Sequence, residues 1–146
     1  MLLIYLRALF VLFFVPILLG FASGCCKDND RETLIGSWQM TQIHYQLTGE
    51  VGHEPSNIAR PIVLTFNDQN QITGQTIEHT LTANYQTDND SQLEITNINA
   101  TGTDQNLWGK KLLIALGNTS SYSRKCNELR IYYNKGLEYI KFERQE

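Results

Sequence analysis

From residue 33 onward, apolar side chains recur at every second position in short runs, and Gly, Asn and Asp break the runs. That is the pattern of half-buried antiparallel strands. The first run covers residues 37–47, with Trp38 and Met40 on one face. Its parity then switches to Ile43, Tyr45 and Leu47, which predicts a bulge or a sharp bend. Residues 48–60 carry Gly49, Gly52 and Pro55 without any period and read as a loop long enough to hold a contact role. Strands follow over 62–66, 71–77, 79–87 and 92–100, with Gly74 expected at a bulge or a close approach. The period then changes. Between Thr103 and Gly117 the apolar residues Trp108, Leu112, Ala115 and Leu116 are spaced as on a helix. Thr103 or Asp104 is placed to cap its start and Gly117 to end it, and Gly109 inside it implies close packing. A short strand around Tyr122, a turn over 125–127, a strand over 128–134, the hairpin signal Asn134-Lys135-Gly136 and a last strand over 137–142 complete the chain. The expected class is α+β: about eight antiparallel strands forming a curled sheet or partly open barrel, with one helix between the fifth and sixth strands.

The N-terminus follows a different pattern. Arg7 precedes an apolar run from Ala8 to Phe21, and small residues follow it. That is the order of a secretory signal. A membrane span of about 20 residues would also fit the length, but Pro16 lies inside the run and no basic cluster follows it. Ala22-Ser23-Gly24-Cys25 resembles the lipobox of bacterial lipoproteins, with Ala22 where Leu is usual. The resemblance implies acylation of Cys25, with Cys26 the weaker acceptor. The expected organisation is a lipoprotein signal peptide over 1–24, a lipidated polar tether over 25–32 and a β-rich domain over 33–146. A brief helical turn is expected over 31–35. Bacterial lipoproteins of this type carry two or three acyl chains, which hold stably where one chain holds only marginally. The acidic stretch after Cys26 resembles a surface-export signal, and the bland reading is a solvated linker. The protein is therefore expected at the outer membrane, lipid-anchored, facing the cell surface or the periplasm.

Composition narrows the function. The net charge is −3 with no basic face, so nucleic acid is not an expected partner. Of three cysteines, one goes to lipid. Cys26 and Cys126 remain in an oxidising compartment, where they pair if the tether folds back; otherwise Cys126 is a small, partly buried thiol.

Leu34-Ile35-Gly36-Ser37-Trp38 resembles the Leu-x-Gly-x-Trp opening of META/HslJ-like domains. The apolar strand ending at Phe66, then Gly74, Tyr85, the Thr101-to-Leu116 segment with Trp108, and the closing hairpin over 129–142 follow in that family's order. His79 and Ala83 stand where the family has Asn and Gly, and its cysteines are absent. The resemblance implies a curled sheet with a helix, frequent export as a lipoprotein, a link to envelope stress, and no agreed activity. Gly36-Ser37-Trp38 also resembles the start of lipocalins, where the helix follows the last strand; here it precedes three more.

No catalytic constellation appears. His53-Glu54 lacks the second histidine of a zinc helix, because position 57 is Asn. His44, His53 and His79 have no local spacing for a metal, and no metal or cofactor is expected. Glu78, Glu94 and Glu138 read as solvent-facing strand residues. Trp38, Phe66, Tyr85, Trp108, Tyr133 and Phe142 form either a filled core or an apolar pocket. The expected function is a non-enzymatic envelope interaction or stress-accessory module. The alternative is a lipocalin-like carrier of a small apolar ligand.

Overall fold

The computed structural model of the chain describes residues 33–56, 58–88 and 90–145. The alternating runs become strands β1 (Gly36–Tyr45), β2 (Glu50–His53), β3 (Val63–Phe66), β4 (Gln71–Gln75), β5 (Thr80–Thr87) and β6 (Leu93–Ala100). Helix α1 (Leu107–Gly117) follows, then β7 (Thr119–Lys125), β8 (Glu128–Tyr133) and β9 (Glu138–Arg144). Eight strands lie on one path, β6-β5-β4-β3-β1-β9-β8-β7, and β2 pairs with β1 off that path. Every pairing is antiparallel. The ends of the path touch at one corner, where Gln92 bridges Ser121 and the Tyr122 amide donates to Ser91 O at 2.9 Å. The result is a curled half-barrel with α1 packed against β6, β8 and β9.

Alternation decides which side chains enter. Leu81, Ala83 and Tyr85 of β5, Leu129, Ile131 and Tyr133 of β8, and Ile140 and Phe142 of β9 all join one buried cluster with Trp38, Met40, Phe66 and the helix residues Trp108, Leu112, Ala115 and Leu116. Each such large side chain contributes roughly 1.5–3 kcal/mol by leaving water. The parity switch in β1 is a register shift against β9 between Met40 and Gln42, which lets both Met40 and Ile43 face inward. Gly74 is a close-approach point: a Cβ there would lie 2.7 Å from Leu64 Cδ2 and 3.0 Å from Val63 O. The turn before β9 places Asn134, Lys135 and Gly136 at φ of 51°, 57° and 80°, a left-handed path that Asn and Gly tolerate.

Several expectations need correction. The helix lies between the sixth and seventh strands, because residues 48–60 contain β2. The α1 cap is Asn106, whose Oδ1 accepts from the Trp108 amide at 2.7 Å; Thr103 and Asp104 do not cap it. Residues 33–35 carry no helical turn, and the rest of that expectation falls outside the described residues. Cys126 is disulfide-bonded and not a free thiol. The other cysteines of the chain, Cys25 and Cys26, lie outside the described residues, as do the signal peptide and the lipidation position. No helix among the described residues is long and apolar enough to cross a membrane.

Candidate functional site

The six aromatics singled out from the sequence are all buried, and five of them make their polar contacts internally or have none to make. The Trp38 indole N–H donates to Leu34 O at 2.8 Å, and the guanidinium groups of Arg124 and Arg144 lie 5.5 and 5.8 Å from its ring. The Tyr85 hydroxyl donates to Asn67 O at 2.8 Å, and its ring meets Phe66 edge-on at 5.1 Å. The Tyr133 hydroxyl donates to Glu138 Oε2 at 2.7 Å; burial, with this bond, pushes its pKa far above that of an ordinary tyrosine. Glu138 is thus tied down and does not stand free in solvent. Phe142 is fully enclosed. Trp108 is buried beside the β1–β2 hairpin, its ring 3.5 Å from where a Cβ on Gly52 would be, and its Nε1 has no hydrogen-bond partner. Such an arrangement fills the interior, and the polar handles of Trp38, Tyr85 and Tyr133 are spent on the fold.

Three outward features remain. The first is the β1–β2 hairpin. Among the described residues β2 pairs with β1 alone, and the hairpin exposes Leu47 of its turn at 78% and Val51 of β2 at 39%. Gln42 links its two histidines, at 2.9 Å from His44 and 3.5 Å from His53. His44 stacks on Tyr139 at 4.3 Å. On the same outer face, Arg130 and Lys141 hold Glu128 at 2.6 and 3.2 Å, and Lys141 also reaches Glu143 at 3.2 Å. Burial alone would raise the Glu128 pKa, but the hydrogen bonds and charges of Arg130 and Lys141 outweigh it and hold the carboxyl below its usual range. Burial, and then the same two cations, push His44 below its ordinary value of 6.5. These groups form a structural ion network, with no nucleophile or acid–base pair among them.

The second feature is an open groove of about 350 Å³ where the β3–β4 turn and the start of β4 meet β5 and β6, lined by amides including Gln69, Asn70, Gln71, Asn84, Gln86 and Asn97. The third is a cluster that sequence reading did not assemble. Glu78 and His79 of the β4–β5 turn meet Asp104 of the β6–α1 loop, with one ligand atom from each within 4.8 Å of the others. Asp104 is wholly buried, and its Oδ1 accepts from Thr76 Oγ1 at 2.9 Å and from the Glu78 amide at 3.1 Å. Glu78 Oε2 in turn accepts from the Gln105 amide at 2.7 Å. His79 therefore sits apart from the linked His44–Gln42–His53 set, and the three histidines do not assemble as one ligand group among the described residues. Asp104 lies 26 positions from Glu78 in the chain, a separation that leaves no local motif. The one local signal was Gly109, which makes room for Asp104.

No family model matches the chain, and no curated protein matches it. Among solved structures, it is similar to a DUF4847 family protein from Bacteroides vulgatus, with 20% identity, a TM-score of 0.57, and coverage of 76% of this chain and 94% of that one. At that identity the likeness establishes a shared fold, the curled antiparallel sheet with its helix.

Proposed function

We propose that this chain is a non-enzymatic, lipid-anchored protein of the outer membrane whose domain acts as an envelope interaction module. The observation that supports a module over a carrier is the filled interior. Trp38, Met40, Leu64, Phe66, Tyr133 and Phe142 occupy the concave side of the sheet at no more than 2% exposure each. A carrier of the lipocalin type needs that volume for its ligand. The contact surface in this reading is the β1–β2 hairpin, where Leu47 and Val51 stand exposed beside an edge of β2 that is unpaired among the described residues and able to accept a further strand. Export and acylation rest on the signal pattern and on Cys25. The stress-accessory role and the META/HslJ kinship rest on the order of Leu34-Ile35-Gly36-Ser37-Trp38, Gly74, Tyr85 and Trp108. The protein faces either the cell surface or the periplasm.

Two experiments test this. Cys25→Ser is expected to abolish acyl labelling and release the protein from membranes; persistent labelling removes Cys25 as the acceptor. A photo-reactive side chain at Val51, introduced in the native envelope, is expected to give one discrete protein adduct. The same group at Glu94 of β6 should give none. Equal, diffuse labelling at both positions would contradict the hairpin assignment.

A further inference from the structure

We propose that Glu78, His79 and Asp104 bind one divalent cation of the zinc class. Asp104 carries a fully buried carboxyl group. Both hydrogen bonds it receives go to Oδ1, while Oδ2 is buried and accepts none. Among the described residues no lysine or arginine pairs with it. A buried carboxyl oxygen without a partner is unfavourable unless a cation or a donor meets it. A metal ion supplies that charge.

The surroundings favour a site over an accident of packing. Asp104 is fixed in place by the Thr76 hydroxyl and the Glu78 amide, which is how ligating carboxylates are commonly held. Thr76 Oγ1 also accepts from the His79 amide at 3.0 Å, so one threonine sets the turn that carries both other ligands. Two glycines clear the space. A Cβ on Gly109 would lie 2.5 Å from Asp104 Cγ and nearer still to Oδ2, and one on Gly102 would lie 2.8 Å from His79 Nδ1. His79 Nε2 and Glu78 Oε2 are 4.0 Å apart, with side chains 29% and 37% exposed. Around a tetrahedral zinc with bonds of about 2.0–2.1 Å, neighbouring ligand atoms stand roughly 3.3 Å apart. Closing that gap requires the two partly exposed side chains to swing toward the fixed carboxylate, with Glu78 Oε2 shifting from the Gln105 amide that it accepts from at 2.7 Å. One imidazole with two carboxylates selects a borderline cation over calcium or magnesium, which prefer all-oxygen ligands. Water completes the shell.

The test uses the full protein, stripped with a chelator under non-reducing conditions and titrated with zinc. We expect one equivalent to bind, with the His79 ring resonances shifting in proportion to the metal added and those of His44 and His53 unmoved. His79→Gln and Glu78→Gln, both at half-exposed positions, should each weaken binding at least tenfold while leaving the melting temperature of the metal-free protein unchanged. Calcium at the same concentration should not compete. No saturable binding up to about 1 mM, binding that moves the His44 or His53 resonances instead, or unchanged affinity in His79→Gln would each overturn the proposal.

Discussion

Gly109→Ala sets helix propensity against packing, and the structure decides which wins. In an open helix the change would stabilise by about 1 kcal/mol, because glycine loses more backbone entropy than alanine. Here the new Cβ would lie 2.5 Å from Asp104 Cγ and 2.9 Å from Asp104 Cβ. Asp104 cannot simply turn away, since its Oδ1 holds the Thr76 hydroxyl and the Glu78 amide in a fully buried setting. Hydrogen bonds to a charged group contribute about 1.5–3 kcal/mol each. Losing one or both outweighs the propensity gain and leaves a net destabilisation of about 0.5–5 kcal/mol. Urea unfolding followed by tryptophan fluorescence reads this directly, with Trp108 next to the changed residue and an expected drop in midpoint of about 1–2 M. The second arm is a double-mutant cycle. In Asp104→Ala the carboxylate is gone and only a Cβ contact of 2.9 Å remains, so the glycine change should then cost no more than about 1 kcal/mol. If Gly109→Ala alone stabilises the protein, or if the two changes are additive, the packing described between α1 and the β6–α1 loop is wrong.

Further predictions follow from the core and the outer face. Trp38→Ala should destabilise by about 3–5 kcal/mol, the range for deleting a buried aromatic, and it also strips Leu34 O of its donor; a change below about 1 kcal/mol in chemical denaturation would show that Trp38 is not core. In an NMR titration His44 should take its proton below its ordinary 6.5, owing to burial and then to Arg130 and Lys141. Because the unfolded chain then binds the proton first, the His44 contribution to stability is complete above pH 6.5 and is lost as pH falls from there through its folded value; a His44 pKa at or above 6.5 contradicts the structure.

Much of the fold was legible because most strands are half-buried. Alternation in β5 and β8 named the inward residues Leu81, Ala83, Tyr85, Leu129, Ile131 and Tyr133, all of which are buried. β2 was illegible for the opposite reason. Glu50, Val51 and His53 are exposed, so nothing in their sequence had to alternate, and only pairing with β1 makes them a strand. Asp104 misled in a different way. A short acid before a helix looks like a cap, yet its carboxylate reaches across to the β4–β5 turn and Asn106 takes the cap. Long-range contacts of that kind leave no periodic trace, and neither does the cluster they form with Glu78 and His79. The aromatics posed the one question that pattern could not answer, whether the sheet encloses a pocket or a core, because both demand apolar side chains at the same positions.

That question is also where the proposed function is most exposed. Native mass spectrometry of the full lipoprotein, extracted gently from its own envelope, addresses it directly. With the interior filled by Trp38, Phe66, Tyr133 and Phe142, the mass should be that of the chain with its acyl groups, with no more than about one metal ion in addition. A stoichiometric small organic molecule that is held through the gas phase and lost on denaturation would contradict the module and restore the carrier.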